Sequence, residues 1–349
     1  MHILLVSLGS IGRKHLANLR ELEPAATITI LRRAIDPALS ETQITTLDPA
    51  LPLDAALLCS PASEHLAIAR QLASRGIPLF IEKPISHTLD GVADLLALAR
   101  ERRAPLMVGY NLRFFEPLRI LRQALIEGRI GRLLSIRAEV GQYLPDWRPA
   151  ADYRTGVTAQ RALGGGALLE LSHEIDYVRW LAGEMESVTA QVGRVGDLEI
   201  DAEDCAELAL RFRSGAIGSI HLDLLQRAPH RICRVIGTEG TLTLDFIEPR
   251  VRIFTTATNA WADLPCGPVD RNAMYLAELR HFLDCARTHT EPEITGEDGL
   301  RALEIVEAAR ASASHPGGAR DPRAVLGDPP RTPGTRAPRT DVPTTDHAS

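Results

Sequence analysis

The stretch HILLVSLGSIG, from His2 to Gly12, decides the fold. Its first part is a short apolar run suited to a strand buried on both faces, and a helix-like segment, Ile11 to Glu21, follows at once. Between them Ser7-Leu8-Gly9-Ser10-Ile11-Gly12 matches the fingerprint G-x-G-x-x-G, with Ser7 in the first glycine's place. In that turn one glycine lets backbone N–H groups approach a pyrophosphate, another lets helix and strand pack closely, and the helix N-terminus adds partial positive charge. Gly9, Ser10, Ile11 and Gly12 are therefore the expected cradle of a dinucleotide. The competing reading is an ordinary strand-to-helix turn, disfavoured by the placement between an apolar run and a helix. About 20 residues further on, where an NAD site sets an acid against the ribose, stand Arg32 and Arg33. Guanidiniums suit a 2′-phosphate, which favours NADP(H) over NAD(H), although Asp36 is near enough to serve a ribose.

Outward from this turn, apolar runs alternate with amphipathic segments: Thr27 to Leu31, Ala55 to Cys59, Pro78 to Ile81 and Pro105 to Gly109, with helices over Glu64 to Arg75 and Leu89 to Arg103. That alternation predicts right-handed βαβ units and a parallel sheet. A connecting helix, Pro117 to Glu127, precedes seven segments with strand-like patterning between Leu133 and Thr255, and three helices over Ala167 to Leu181, Arg271 to Thr288 and Gly296 to Ser314. The fold class is thus α/β: a Rossmann domain over 1–118, then an α+β domain over 119–314 with a largely antiparallel sheet covered on one face. Residues 315–349 hold seven prolines and little that is apolar, which predicts a disordered tail.

Composition narrows the function. The 349 residues carry 39 Lys and Arg against 45 Asp and Glu, a formal net charge of -6, with no basic footprint for nucleic acid. No apolar run is long enough to span a bilayer and the N-terminus lacks a basic leader, so a cytoplasmic protein without membrane partners is expected. Five scattered cysteines form neither a disulfide framework nor a metal clip.

Of the basic residues only Lys14 and Lys83 are lysine. An ammonium can be tuned to lose its proton and a guanidinium cannot, so these two positions stand out. Lys83 lies in Glu82-Lys83-Pro84, after an expected strand, at the carboxyl edge where open α/β sheets bind ligands. The proline fixes the local backbone and suits a cis peptide bond.

Taken together, the glycine turn with Arg13-Lys14-His15, Cys59-Ser60-Pro61 with His65, Glu82-Lys83-Pro84, and Gly109-Tyr110-Asn111-Leu112-Arg113-Phe114 resemble the Gfo/Idh/MocA family, the relatives of glucose-fructose oxidoreductase and inositol dehydrogenase. The resemblance covers roughly residues 1 to 310. It implies NAD(P)-dependent oxidation or reduction of a carbinol carbon in a sugar, cyclitol or nucleotide sugar, and a homo-oligomer, dimer or tetramer, built on the open sheet. By the same resemblance Ser60, Pro61, His65, Glu82, Lys83, Asn111 and Arg113 border the cofactor, and a helix histidine stands beside the lysine at the reacting carbon.

The matching histidine is His173, which follows Gly164-Gly165-Gly166 on the expected helix Ala167 to Leu181, with Glu170 and Asp176 three residues either side. The glycines would let backbone crowd against a ligand. The family commonly has an aspartate four residues before this histidine; here position 169 is Leu, and Glu170 is the nearest carboxylate. A zinc site is set aside, because position 177 is Tyr and no cysteine is close. The expected chemistry has His173 take the hydroxyl proton while the Lys83 ammonium steadies the developing alkoxide, with the two roles open to exchange. Tyr143, Trp147, Arg148, Tyr153 and Arg154 interleave aromatic and cationic groups suited to a sugar, and Asp176 joins them as a substrate candidate. The rival reading is a non-catalytic NAD(P)-binding sensor or a redox-neutral sugar enzyme.

Overall fold

The computed structural model describes residues 1–314 and 319–326. In chain order β1 (His2–Val6), α1 (Ser10–Leu22), β2 (Thr27–Leu31), β3 (Thr42–Ile44), β4 (Ala55–Leu58), α2 (Ala62–Ala73), β5 (Leu79–Glu82), α3 (Val92–Glu101) and β6 (Leu106–Gly109) build the first layer system. All five strand pairings are parallel and the order is β3-β2-β1-β4-β5-β6. Helices on both faces bury the central strands: Leu4, Leu57 and Phe80 are fully enclosed, each side chain contributing about 1.5–3 kcal/mol. The strand order changes direction between β1 and β4, and the carboxyl ends of β1, β4, β5 and β6 open on one edge.

After α4 (Glu116–Ile126) the chain forms β7 (Leu133–Gly141), two helices α5 (Ala167–Glu170) and α6 (His173–Ala182), and then β8 (Met185–Gly193), β9 (Cys205–Phe212), β10 (Ile217–Asp223), β11 (His230–Gly237), β12 (Gly240–Asp245), β13 (Arg250–Thr255) and β14 (Ala260–Leu264). These give an eight-stranded sheet in the order β14-β13-β12-β11-β7-β10-β9-β8. Within this second sheet only β7 and β10 pair in parallel among the described residues. The α/β plus α+β expectation holds, and α6 and the final helix cover the inner face.

Four expectations are corrected. The single helix over 167–181 is broken: Leu171 leaves helical geometry and α6 restarts at His173. The helix α7 (Ala273–Thr288) packs on α1 rather than over the second sheet; Asn18 and Asn272 exchange amide hydrogen bonds at 3.3 and 2.9 Å, and Phe80 meets Phe282 edge to face. The helix α8 (Gly296–Ala313) bridges both sheets, with Ile294 O accepting from Val108 N at its start and its later turns lying on β8. Finally, residues 319–326 are not a loose tail. Arg320 and Val188 exchange backbone hydrogen bonds at 2.8 and 2.7 Å, and Arg323 pairs with Glu184, so the edge strand β8 is covered. The rest of the expected tail lies outside the described residues.

Candidate active site

The turn after β1 keeps the fingerprint backbone even though its first glycine is missing. Ser7 adopts φ 74°, the left-handed conformation that glycine takes freely, at a cost of about 1–2 kcal/mol. A Cβ on Gly12 would run into the Ser7 carbonyl oxygen, whereas one on Gly9 would meet open space. No side chain caps α1 and its first turn has no acid, so its N–H groups and dipole are left for an anion. The Ser60 hydroxyl, at the end of β4, is buried without a partner. These features fit a dinucleotide on the edge where the sequence expects one.

Lys83 sits at the end of β5, and its bond to Pro84 is cis, as the motif anticipates. Its ammonium donates to the Glu170 carbonyl oxygen at 2.6 Å and approaches Glu170 Oε1 at 3.5 Å. Glu170 Oε2 accepts from the Thr158 hydroxyl at 3.3 Å. His173, the first residue of α6, lies edge-on to Tyr110 with ring centroids 5.7 Å apart. Its Nδ1 is enclosed without a partner, which leaves Nε2 to meet a ligand. Burial, then the Lys83 ammonium and the Arg231 guanidinium, hold His173 well below the usual histidine range. The imidazole is therefore neutral, and it lies within the field of the lysine that comes from the other sheet.

Several expected site residues face elsewhere. Arg113 is 3% exposed and bonds Asp176 through two contacts of 2.8 and 2.5 Å, with Asp298 at 3.1 Å; this pair clamps the turn after β6 to α6 and α8. Asp176 is thus turned into the core, its carboxylate taken up by Arg113. His65 is 1% exposed, its ring nitrogens lying 2.8 Å from Ser60 O and 3.1 Å from Pro84 O, so it staples two cofactor-edge loops from beneath. The Glu82 carboxylate points inward, its Oε1 2.6 Å from His15 Nε2. Asn111 differs from these: it is buried with its Oδ1 unpaired. The glycine run crowds against its own chain, at Val157, Thr158 and Glu203.

At β2's end Arg32 bonds Gln43 at 3.2 Å and stands 3.5 Å from Asp36, while the exposed Arg33 pairs with Glu64. In the loop after β7, the Arg227 guanidinium lies 3.5 Å over the Tyr143 ring, and Trp147 Nε1 donates to Gln142 O. Arg148 is exposed, the Tyr153 hydroxyl accepts from Glu199 N, and Arg154 binds Asp152 and Glu199.

The structure adds Arg231, Glu174 and Tyr275. Arg231 grips the fully buried Glu174 at 2.8 and 2.9 Å, and the Lys14 ammonium lies 4.2 Å over the Tyr275 ring. A signal for Arg231 was present: strand alternation puts it on the face of the apolar Cys233 and Val235. A separate cavity of about 530 Å³, lined by Arg100, Arg103, His289 and Glu297, lies at the amino end of β6 and shares no residue with this group.

A parallel sheet in this order, a glycine turn with an open helix N-terminus, and a lysine meeting a histidine turn at its carboxyl edge define a dinucleotide-dependent oxidoreductase. Residues 1–110 match the family model for the oxidoreductase family with an NAD-binding Rossmann fold, and residues 118–243 match the GFO/IDH/MocA C-terminal domain. The chain belongs to the Gfo/Idh/MocA family of NAD-binding oxidoreductases. It is similar to myo-inositol 2-dehydrogenase of Thermotoga maritima, 27% identical over 89% of this chain and 96% of that one. D-apiose dehydrogenase of Paraburkholderia graminis is 27% identical over 75% of this chain and 71% of its own. The WlbA dehydrogenase of Bordetella pertussis, solved with NADH and UDP-GlcNAcA, superposes with a TM-score of 0.77 at 25% identity, covering 92% of this chain and 98% of that one. No helix among the described residues is long and apolar enough to cross a membrane.

Proposed function

We propose that this oxidoreductase acts on a ring carbinol of a sugar, cyclitol or nucleotide sugar, with Lys83 and His173 as its catalytic pair and Glu170 setting the lysine. The observation that carries the reading is the Lys83 ammonium, which reaches from the nucleotide sheet to the Glu170 carbonyl oxygen at the α5–α6 break, three residues before His173. When the dinucleotide is bound with its pyrophosphate at the glycine turn, its oxidised nicotinamide would accept the hydrogen of the carbinol carbon as a hydride. The chain's own groups handle the proton. A neutral His173 Nε2 can take it from the hydroxyl, and the cations of Lys83 and Arg231 make the oxygen easier to deprotonate.

NADP(H) is the favoured nucleotide. Arg32 and Arg33 stand at the end of β2, and their half-buried carboxylate partners, Asp36 and Glu64, are ones that a 2′-phosphate can displace. Gly9, Ser10, Ile11, Gly12, Ser60, Pro61 and Asn111 complete the cofactor wall, while His65, Glu82 and Arg113 support it from behind. Tyr143 and Trp147 offer ring faces to the substrate, with Arg148, Tyr153 and Arg154 at the rim. A homo-oligomer through the open sheet face is part of this reading.

The test is absorbance at 340 nm with NADP⁺ or NAD⁺ against myo-inositol, D-apiose and UDP-GlcNAcA. A steady rise with any of them, faster with NADP⁺, is expected. Tight binding of NADPH with no turnover of any carbinol, in the protein and in Lys83→Ala alike, would overturn the enzymatic reading in favour of a sensor.

A further inference from the structure

Lys83 is held at its side-chain end by Glu170, and its backbone has a holder as well. Glu82 pairs with Gly109 across the edge of the first sheet, and a Cβ on Gly109 would come within 3.1 Å of Glu82 Oε2. The missing side chain is what lets the Glu82 carboxylate fold back under the sheet. There its Oε2 accepts the Lys83 N–H at 3.2 Å while Oε1 lies 2.6 Å from His15 Nε2. His15 is fully enclosed, with its ring edge-on to Phe80 at 5.1 Å and to Tyr275 at 6.4 Å. Its rotamer is therefore set by packing on two sides. His15 also belongs to α1, about one helical turn past the N–H groups that face the nucleotide.

A second acid borders this pair. Glu278 of α7 is fully buried and neither of its oxygens has a partner. Burial and the Glu82 charge push it well above the usual carboxylate range, so it stays neutral and does not compete for His15.

We infer that His15 is a positioning residue for Lys83: through Glu82 it fixes the lysine's backbone and joins the nucleotide-binding helix to the catalytic turn. The inference rests on the catalytic reading of Lys83. A buried hydrogen bond to a charged group is among the stronger ones in a fold, enough to hold one backbone geometry against its neighbours.

The chain has only two lysines, which gives a direct readout. Protein labelled with ¹⁵N-lysine shows two backbone amide signals, and Lys83→Arg identifies the one from Lys83. In folded His15→Phe, which keeps an aromatic ring but no donor, the Lys83 amide should shift and its hydrogen exchange accelerate on the order of tenfold. His15→Gln, whose amide can donate as Nε2 does, should restore both. An unmoved Lys83 amide in folded His15→Phe overturns the inference. Should that variant not fold, Glu82→Gln decides by the same signal, with unchanged exchange at Lys83 again overturning it. The amide readout needs no substrate, so it fails independently of the catalytic reading, which falls if Lys83→Ala keeps parental turnover.

Discussion

The Lys83 ammonium and the Glu170 carbonyl oxygen meet at 2.6 Å because the helix stops there. In an unbroken helix that carbonyl would accept the N–H of residue 174; here Glu174 N instead bonds Leu171 O at 3.3 Å. The break between α5 and α6 thus frees one acceptor for the lysine and sets His173 at the start of a new helix. Lys83→Arg keeps the charge but not the compact ammonium. Turnover should fall about 10²- to 10⁴-fold while NADPH binding, followed by its fluorescence, stays within a few-fold.

The depressed His173 makes a prediction in pH. Because its folded pKa lies below the unfolded value, the base form persists as pH falls from 7 to 6, and turnover should not decline there on its account. Stability has the opposite sign. Below about pH 6.5 the unfolded chain takes up a proton that the fold refuses, so acid destabilises the protein. Urea titrations of His173→Gln should show a shallower loss of stability between pH 6.5 and pH 5 than the parent, within about 1.4 kcal/mol per pH unit.

Glu278 predicts a loss on the alkaline side. Its folded pKa is raised by burial and by Glu82, so the fold keeps a proton that the unfolded chain releases above the ordinary glutamate value. Stability is then lost as pH rises, by at most about 1.4 kcal/mol per unit. Cys59 and Tyr275, which share this pocket with Glu82, are raised too and do not ionise first. Glu278→Gln should be more stable than the parent at pH 8 in thermal melts, with the advantage shrinking toward pH 5.

Arg113 is predicted to matter for the fold before the reaction. Arg113→Met would strand the buried Asp176, which is 2% exposed, and should cost about 3–5 kcal/mol in urea unfolding. In the folded fraction at low temperature, the Michaelis constant for the nucleotide should stay within a few-fold of the parent. A large rise there with stability unchanged would return Arg113 to the cofactor wall.

Much of this was legible in local patterns. Strands buried on both faces read as continuous apolar runs, as β1, β4, β5 and β6 do, while β2, Thr27 to Leu31, alternates threonine with isoleucine. The three-residue β3 has no pattern to detect, and β14 is an exposed edge strand whose residues do not alternate. Glu170-Leu171-Ser172-His173 contains neither glycine nor proline, so nothing local announces the break beside the site. Glu278 was visible only as an acid on the stripe of Leu279, Phe282 and Cys285, a position that says it is buried but not beside what.

By itself the sequence determined the parallel sheet, the glycine turn, the edge that carries Lys83 and the family, since each depends on residues near one another in the chain. The tertiary structure alone decided which polar groups face the ligand and which face each other. Arg113 and Asp176, or His15 and Glu82, are 63 and 67 positions apart, and their partners are chosen by packing. A buried charge must find a counterpart wherever the folded chain supplies one.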